Sequence, residues 1–255
     1  MRELVLVGIG TGSPSHITQA GADALRAADA LLIPDKGPQK SGLLEARYEL
    51  LERLFPAGQE RPKQLVYKVP RRSEVGGYLN GVGVWHQAIA DAWSKALKQA
   101  GGRPCVALMV WGDPSLYDSS LRIAELLQPK PKVRVIPGIT ALQALTAAHA
   151  IPLNTVGSAF QVTTGRRLRE EGWPNGVDTV AVLLDSECSF RSLGPGDFDL
   201  WWGAYLGGPH QLLRSGPVQE VADEIVALRA KARSEHGWVM DTYLLRRRAP
   251  SPRQS

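Results

Sequence analysis

Three glycine-bearing segments are the parts of this chain best suited to hold a ligand. Each follows an apolar run typical of a β-strand, and they are Gly8–Gly12, Trp111–Tyr117 and Val135–Leu142. Glycine lets the backbone approach a bound molecule closely, because no Cβ stands in the way. In the second segment, the Asp113 carboxylate would cap a helix that starts near Ser115 or accept hydrogen bonds from a ligand.

The first segment is not a dinucleotide-binding fingerprint. In a G-x-G-x-x-G pattern that begins at Gly8, the third glycine would fall on Ser13. The helix is delayed until about Thr18, so a pyrophosphate could not sit at its N-terminus. A tight strand-to-helix turn remains an equal alternative for this segment. An ordinary corner with Thr140 as N-cap remains the alternative for the third segment.

The elements that position these segments alternate between strand and helix. The predicted strands are Leu4–Ile9, Ala30–Ile33, Leu65–Val69, Cys105–Trp111 and Val133–Ile136. Apolar stripes that predict one buried helical face are Trp85, Ile89, Trp93 and Leu97, and then Leu121, Ala124 and Leu127. This alternation predicts an α/β fold with a mostly parallel sheet covered by helices on both faces. Ligands of such sheets gather at the carboxyl ends of the strands, so the three glycine-bearing segments would line one crevice.

The second half has more strands and fewer helices. Its predicted strands are Ala159–Thr163, Thr179–Leu184, Leu200–Leu206 and Trp238–Leu245, with one clear helix over Val218–Ala232. This pattern predicts a mixed-sheet α+β domain. The predicted domains are therefore residues 1–150 and 151–255.

Length and composition exclude several classes of protein. The chain has 255 residues, of which 44% are hydrophobic and 22% charged, so it is globular rather than disordered or fibrous. Its longest apolar stretches fall far short of the ~20 residues that a membrane helix needs. The N-terminus has no signal-peptide pattern. We therefore expect a cytoplasmic protein that binds no membrane.

The charged and metal-ligating residues give few signals. The net charge is +5, but the only run of three basic residues is Arg246–Arg248, which is expected to be a solvated terminus. Nucleic acid is therefore disfavoured as a partner. Cys105 and Cys188 lack metal-ligand spacing, and the five histidines are scattered, so we expect no disulfide and no metal site.

A set of motifs in this sequence resembles the tetrapyrrole (corrin/porphyrin) methylase family. The motifs occur in the family's order and are Leu4–Gly12 with Ile17-Thr18, Ala27–Ala30, Gly112–Tyr117 and Ile136–Ala141. Further segments are similar to a family member that methylates a corrin precursor at C-1 and releases an acetyl group as acetate. These are Asp35–Gly37, Val110–Asp118, Thr163–Leu168, Trp202–Gly207 and Gly237–Leu245.

The resemblance implies the two-domain tetrapyrrole methylase fold, with S-adenosylmethionine in the cleft between the domains, and a homodimer. S-adenosylhomocysteine would be the product, and the other substrate a metal-free polycarboxylate tetrapyrrole. The cofactor contacts that it implies are Thr11, Trp111, Gly112, Asp113, Leu116, Thr140, Ala141, Leu184, Ala204, Tyr205 and Leu206. The chain departs from many relatives at Leu184-Asp185, where a Met-Gly pair is frequent.

Release of the acetyl group requires a base or an oxyanion site. The candidate bases are Asp35 and His86, although Pro34–Gly37 is also a good turn sequence and a histidine beside a buried tryptophan is often a core residue. The substrate carboxylates require cations, and Lys36, Arg166 and Arg167 lie in segments expected to be loops at the cleft. Ordinary surface charge is the alternative for these three. Gly10 completes the predicted substrate contacts.

Two other functions remain open from the sequence. One is a methylase of the same fold with a different tetrapyrrole, protein or RNA substrate. The other is a non-catalytic relative that binds the cofactor without turnover. Acetate release coupled to methyl transfer would argue against the first alternative. Any turnover would argue against the second.

Overall fold

The computed structural model describes residues 3–38, 41–71, 78–102, 105–193 and 198–248. The chain divides into two compact units, Met1–Thr140 and Ala141–Ser255. The domain bounds predicted from the sequence, 1–150 and 151–255, remain a prediction. No helix among the described residues is long and apolar enough to cross a membrane.

The first unit is built on a five-stranded sheet in which every neighbouring pair is parallel. Its strands are β1 (Glu3–Gly8), β2 (Ala30–Asp35), β3 (Lys63–Lys68), β4 (Cys105–Val110) and β5 (Lys132–Ile136). Their order across the sheet is β3-β2-β4-β1-β5. All five carboxyl ends therefore lie at one edge, and the strands agree with those predicted from the sequence.

Helices cover both faces of this sheet. They are α1 (Gln19–Ala27), α2 (Ser41–Leu54), α3 (Tyr78–Gln99) and α4 (Ser120–Ala124). Alternate residues of β1 point to opposite faces, so Leu4 and Leu6 pack in the core formed with α3 and α4. Val5 and Val7 pack in the core formed with α1 and α2. The apolar run of this strand is continuous because both of its faces are buried.

The two predicted helical stripes had different outcomes. Ile89 and Trp93 are buried on α3, as the four-residue spacing predicts. The second stripe was wrong at Leu121, which is exposed. Helix α4 has only five residues, and its buried apolar residues are Ile123 and Ala124, so no long stripe forms there.

The second unit contains a mixed sheet. Its strands are β6 (Phe160–Thr164), β7 (Thr179–Leu183), β8 (Phe198–Ala204), β9 (Leu212–Pro217) and β10 (Asp241–Arg247), in the order β6-β7-β10-β8-β9. Strands β6 and β7 are parallel, and β10 is antiparallel to both β7 and β8. The carboxyl ends of β6, β7 and β8 therefore lie at the same edge of the sheet.

Three helices pack on this second sheet, and they are α5 (Ala141–His149), α6 (Gly165–Glu171) and α7 (Val218–His236). Helices α6 and α7 contribute to a core that includes Trp202 and Tyr243. Helix α5 packs against β8 and β10, where His149 Nε2 lies 3.0 Å from the Trp202 carbonyl oxygen.

The basic run near the C-terminus is solvated at Arg247 and Arg248, as the sequence suggested, but it belongs to the sheet. Arg246 and Arg247 belong to β10, and Arg248 follows it directly. The Arg247 guanidinium lies 5.1 Å from the Trp173 ring centroid. Arg248 Nη2 lies 2.6 Å from Asp199 Oδ1. Strand β10 therefore continues past its apolar residues into the basic ones. This brings the arginine side chains beside aromatic and acidic partners.

Candidate functional site

The three glycine-bearing turns lie together at the carboxyl edge of the first sheet. The Gly112 N–H donates to the Gly10 carbonyl at 2.8 Å, and the Gly10 N–H donates to the Gly112 carbonyl at 3.3 Å. The Gly138 N–H donates to Asp113 Oδ2 at 2.8 Å. The turns that follow β1, β4 and β5 are thus joined directly to one another.

Two of the glycines are required for this contact between backbones. A Cβ placed on Gly138 would lie 2.2 Å from the Gly112 carbonyl oxygen and 2.7 Å from the Gly8 carbonyl carbon. A Cβ on Gly8 would lie 2.6 Å from the Gly138 nitrogen. Gly112 is different, because among the described residues nothing lies within 4 Å of an ideal Cβ there, and its φ is +67°. Gly112 is nevertheless buried, and its N–H and carbonyl both bond to Gly10, so the open space lies beside its Cα and not at a free polar group of its backbone.

Replacing Gly138 with alanine is expected to destabilise the first unit by at least about 1–3 kcal/mol, because the new methyl group would push the three turns apart. Urea unfolding followed by circular dichroism measures this change. Gly83→Ala on α3 is the matched control, since nothing described lies within 4 Å of a Cβ there. That control should leave stability unchanged or raise it by up to about 1 kcal/mol. Equal losses in the two variants would contradict the prediction.

Asp113 links the second turn to the third. Its Oδ1 accepts a hydrogen bond from the Ser115 N–H at 2.7 Å and another from the Ser115 hydroxyl. Burial tends to raise the pKa of Asp113, but the bonds from Ser115 and the Gly138 N–H outweigh burial and lower it. The helix expected near Ser115 was wrong: α4 begins at Ser120, and Asp113 closes a turn instead. Pro114 and the Asp113 hydrogen bonds favour this turn over a helix at that point.

The first turn is shaped by His16. Thr11 is buried, and its Oγ1 lies 3.0 Å from His16 Nδ1. A Cβ on Gly10, whose φ is +78°, would lie 2.4 Å from the His16 Cβ. Burial lowers the pKa of His16. The glycine at position 10 is therefore explained by packing within its own turn, and its predicted contact with substrate stays a prediction.

Arg47 is a buried cation that the sequence analysis missed. It lies on α2, and its Nε and Nη2 each donate to the Met109 carbonyl at 3.4 Å. Its guanidinium lies 5.7 Å from the Trp111 ring centroid. Burial lowers the pKa of Arg47 to about 10, while Tyr67 and Asp118 raise it. Arg47 thus holds the end of β4 and the first residue of the second turn.

In the second unit, Leu184 and Tyr205 follow β7 and β8 in strained conformations. Their φ angles are +54° and +50°, and Leu184 is 66% exposed. A left-handed backbone is uncommon for residues other than glycine, and such strain concentrates at functional sites. Both positions are among the predicted cofactor contacts, and they lie at the edge where β6, β7 and β8 end.

Asp185 stabilises the loop that presents Leu184. It accepts hydrogen bonds from the Ser189 N–H at 2.6 Å, the Ser189 hydroxyl at 2.8 Å and the Tyr243 hydroxyl at 2.7 Å. A Cβ on Gly165 would lie 2.2 Å from the Asp185 Cγ. Asp185, which stands where relatives frequently have glycine, is therefore bonded to residues on other elements. Gly165 is required because a side chain there would occupy the space of Asp185.

Tyr205 is surrounded by two histidines and a backbone contact. Its ring lies edge-on to His236, with 5.9 Å between ring centroids, and to His210, with 6.4 Å. The two imidazoles stack on each other at 4.0 Å. The Tyr205 N–H donates to the Met240 carbonyl at 2.9 Å. Together these contacts hold the Tyr205 backbone in its strained conformation.

The two candidate bases lie in different surroundings. Asp35 is partly buried, and its Oδ1 accepts a hydrogen bond from the Gly37 N–H at 2.8 Å, as expected for a turn. His86 is buried on α3, and its Nε2 lies 2.9 Å from Ser119 Oγ. Burial lowers the pKa of His86, Arg122 lowers it further, and Asp118 opposes them. The lowered pKa favours the neutral imidazole, which is the form that a general base uses.

The predicted carboxylate-binding cations are only partly in loops. Lys36 is exposed in the turn after β2. Arg166 and Arg167 were wrongly placed in a loop, because they lie on α6, which Gly165 begins. Their guanidinium groups pair with Glu170 at 2.7 Å and Glu171 at 2.8 Å. Exposed pairs of this kind contribute about 0–1 kcal/mol, so a substrate carboxylate could replace the glutamate partner.

The remaining predicted contacts lie at the ends of elements. Leu116 follows the Asp113 turn, and Thr140 and Ala141 stand at the start of α5. Ala204 ends β8, and Leu206 is buried just after it. Among the described residues, no group of three or more His, Cys, Asp or Glu side chains is placed to hold a metal ion.

Comparison with known proteins identifies close relatives. A family model for Tetrapyrrole (Corrin/Porphyrin) Methylases matches residues 3–222. The chain is 43% identical over 254 residues to Precorrin-6A synthase [deacetylating] from Sinorhizobium sp., covering 98% of this chain and 97% of that protein. It is 38% identical to the crystal structure of a cobalamin synthesis related protein (CobF) from Corynebacterium diphtheriae, with a TM-score of 0.80 and coverage of 97% and 99%.

A more distant structure shares the fold. It is a uroporphyrin-III C-methyl transferase from Thermus thermophilus, complexed with S-adenyl homocysteine, which is 21% identical with a TM-score of 0.60. The match covers 95% of this chain and 96% of that chain. At this identity, the similarity shows that the two-domain methyltransferase fold is shared.

Proposed function

Because this chain belongs to the tetrapyrrole (corrin/porphyrin) methylase family, we propose that it is an S-adenosylmethionine-dependent C-methyltransferase that converts precorrin-5 into precorrin-6A with release of acetate. The observation that carries this proposal is the 43% identity to a deacetylating precorrin-6A synthase across nearly the whole of both chains. Release of acetate is also favoured by the segments that resemble a deacetylating family member, such as Thr163–Leu168 and Gly237–Leu245.

The residues of this chain fit the methyl donor. Its ribose and amino-acid groups are polar, so they suit exposed backbone groups at the ends of strands. Gly112 leaves open space beside its Cα, and Leu184 offers an exposed apolar side chain held in a left-handed conformation. The residues proposed to hold the donor are Thr11, Trp111, Gly112, Asp113, Leu116, Thr140, Ala141, Leu184, Ala204, Tyr205 and Leu206.

The chain contributes to methyl transfer mainly by orientation. S-adenosylmethionine supplies an electrophilic methyl group when it is bound. Transfer to carbon needs little acid–base help, and correct placement of reacting groups can lower a barrier by about 7–11 kcal/mol. The rigid contact among the turns at Gly8, Gly112 and Gly138 suits this task, because it leaves those backbones no room to shift.

The substrate is a polycarboxylate, and the proposed cationic contacts are Lys36, Arg166 and Arg167, with Gly10 as a backbone contact. The two arginines already hold carboxylates in the form of Glu170 and Glu171. Arginine can grip a carboxylate through two parallel hydrogen bonds, and Arg167 does so with Glu171 at 2.9 and 2.8 Å. The same geometry would serve a side-chain carboxylate of the macrocycle.

The proposal includes four finer points that rest on the family resemblance. The protein would be a cytoplasmic homodimer, it would need no metal ion, and it would act before cobalt is inserted. Light scattering of the purified chain measures the oligomeric state. Activity that survives exhaustive chelation would support a metal-free reaction, and activity restored only by a metal ion would contradict it.

The test of the proposed function is a paired product assay. The purified chain is incubated with precorrin-5 and S-adenosylmethionine labelled in its methyl group, and both acetate and labelled corrin are measured. Equal amounts of acetate and methylated product are expected. Methylation without acetate would indicate a different tetrapyrrole methylase, and binding of S-adenosylhomocysteine without turnover would indicate a non-catalytic relative.

The pH dependence of acetate release distinguishes the two candidate bases. A base works in its neutral or deprotonated form, so with His86 as base the rate is level near pH 7 and falls as pH drops through the lowered pKa of His86. The acid limb should therefore lie below about pH 6.5, the ordinary imidazole value. His86→Gln should abolish this limb. If Asp35→Asn abolishes it instead, Asp35 is the base.

A further inference from the structure

Ser119 has a hydroxyl group that does not perform its usual role. It is the N-cap residue of α4, where serine typically accepts a hydrogen bond from the first turn of the helix. The Ser119 side chain makes no such bond. Its Oγ instead lies 2.9 Å from His86 Nε2, on a different helix.

A neighbouring residue supplies the missing cap. The Ser120 N–H donates to Asp118 Oδ1 at 2.7 Å, so one N–H group at the start of α4 has its acceptor in Asp118. The backbone carbonyl of Ser119 still accepts from the Ile123 N–H at 2.9 Å. The Ser119 hydroxyl makes no bond to the helix and pairs with the imidazole instead.

The pair has the arrangement of an activated nucleophile. His86 is buried, whereas Ser119 is only partly buried, so the hydroxyl is the more accessible partner. With its proton on Nδ1, the imidazole presents the Nε2 lone pair to the hydroxyl, and an adjacent base of this kind activates serine. The lowered pKa of His86 favours the neutral imidazole, which carries that lone pair.

The position of Ser119 in the chain places it near the proposed chemistry. It ends the connection between β4 and α4, the same segment that begins with Trp111, Gly112 and Asp113. Tyr117, two residues before it, has a φ of +50° and is 44% exposed. Backbone strain of this kind is common at functional sites.

We propose that Ser119 is the nucleophile that removes the acetyl group, with His86 as its general base. This inference rests on the proposed function. Ser119 Oγ attacks the acetyl carbonyl while His86 Nε2 takes the hydroxyl proton. The bond between C-1 and the acetyl carbon then breaks, and its electron pair moves into the conjugated macrocycle, which becomes the carbon nucleophile for methylation. An acetyl ester of Ser119 remains.

Water completes the cycle. His86 loses its first proton to solvent and takes a second from a water molecule, which attacks the acetyl ester. The ester bond breaks, Ser119 regains its proton from His86, and the acetic acid ionises to acetate. One water is consumed, and two protons are released for each acetate and each methyl group transferred. No oxidant or reductant is required.

The ester is the direct evidence to seek. The full chain is mixed with precorrin-5 and the unreactive donor analogue sinefungin, quenched in acid, digested and analysed by mass spectrometry. An acetyl group on the peptide that contains Ser119 is expected, and Ser119→Cys should retain it longer as a thioester. Acetate release by the wild type with no acetyl on Ser119 at any quench time would overturn the proposal.

Kinetic variants give an independent test. Ser119→Ala and His86→Gln should each slow acetate release by about 10²–10⁴-fold, the range for loss of a positioned proton-transfer group. Both should keep wild-type affinity for S-adenosylhomocysteine, which a general loss of structure would not. Ser94→Ala, on the same helix as His86, is the matched control and should leave the rate unchanged. An Ser119→Ala rate within about threefold of wild type would overturn the proposal.

A simple acetyl ester separates this proposal from the proposed function. p-Nitrophenyl acetate should acetylate Ser119 in the wild type and not in His86→Gln, whether or not the chain acts on a corrin. Acetylation by this probe, combined with no acetate from precorrin-5, would leave the nucleophile standing and refute the proposed function. If Ser119→Ala releases acetate from precorrin-5 at the wild-type rate, the proposed function stands and the proposed nucleophile is refuted.

Discussion

Replacing Asp113 with alanine is expected to weaken binding of S-adenosylhomocysteine by at least about tenfold, which is 1.4 kcal/mol. The variant removes the acceptor for the Gly138 N–H and for two donors of Ser115. Hydrogen bonds to a charged group contribute about 1.5–3 kcal/mol each, so their loss releases the second turn from the third. Titration calorimetry with S-adenosylhomocysteine measures the affinity without requiring turnover.

Asp118→Ala is the matched control for this measurement. Asp118 closes a similar local turn through the Ser120 N–H, but that bond stays within its own segment and does not reach the third turn. Its removal should leave the affinity for S-adenosylhomocysteine within about twofold. If Asp113→Ala lowers the melting temperature and leaves the affinity unchanged, Asp113 serves only the fold.

The strands of both units could be predicted from the sequence because most are apolar runs bounded by glycine and proline. Strand β9 was missed, since Ser215, Gly216 and Pro217 are typical turn residues. Among the described strands it pairs with β8 alone at the edge of the sheet, and proline is tolerated there because one side of the strand needs no partner. Helix α6 was missed because its seven residues are too few to show a period.

The candidate site was predicted in outline but not in its internal contacts. Glycine content identified the three turns, whereas the need for glycine at Gly8 and Gly138 depends on backbone distances that no local pattern encodes. Arg47 was missed because an arginine on a helix is normally exposed. Ser119 was missed because a serine before a helix is normally its cap. In both cases the signal is a partner distant in sequence, Met109 for the first and His86 for the second.

The second unit shows the same dependence on distant partners. The sequence suggested contacts at Leu184 and Tyr205 through family resemblance, and the structure adds that both are strained. Hydrogen bonds of Asp185, which follows Leu184, and of the Met240 carbonyl, which accepts from the Tyr205 N–H, hold these conformations. Helix α7 joins these supports, since Arg229 Nη1 donates to the Ser186 carbonyl at 3.2 Å. Local sequence alone predicts a loop at each position but not its conformation.

Replacing Asp241 with alanine is expected to destabilise the second unit by about 3–5 kcal/mol, because it leaves the buried Arg229 guanidinium without its carboxylate. Arg229 Nε lies 2.9 Å from Asp241 Oδ2, and the two side chains are only 12% and 7% exposed. The same oxygen accepts from Trp202 Nε1 at 3.0 Å. Burial raises the pKa of Asp241, and Arg229 and Trp202 oppose that rise. The alanine variant would remove the acceptor of Arg229 Nε and of Trp202 Nε1, while Arg229 Nη2 would keep the Asp185 carbonyl.

Urea unfolding measures this loss, and two variants show whether it comes from the unpaired charge. Asp199→Ala breaks the more exposed pair with Arg248 and should lower stability by only about 0–1 kcal/mol. The double variant Arg229→Met with Asp241→Leu removes both charges and should be more stable than Asp241→Ala, since an apolar pair of similar volume often replaces a buried ion pair at little loss. A double variant that is less stable than Asp241→Ala would mean that hydrogen bonds from Arg229 to the Ser186 and Asp185 carbonyls, rather than the ion pair, hold this loop.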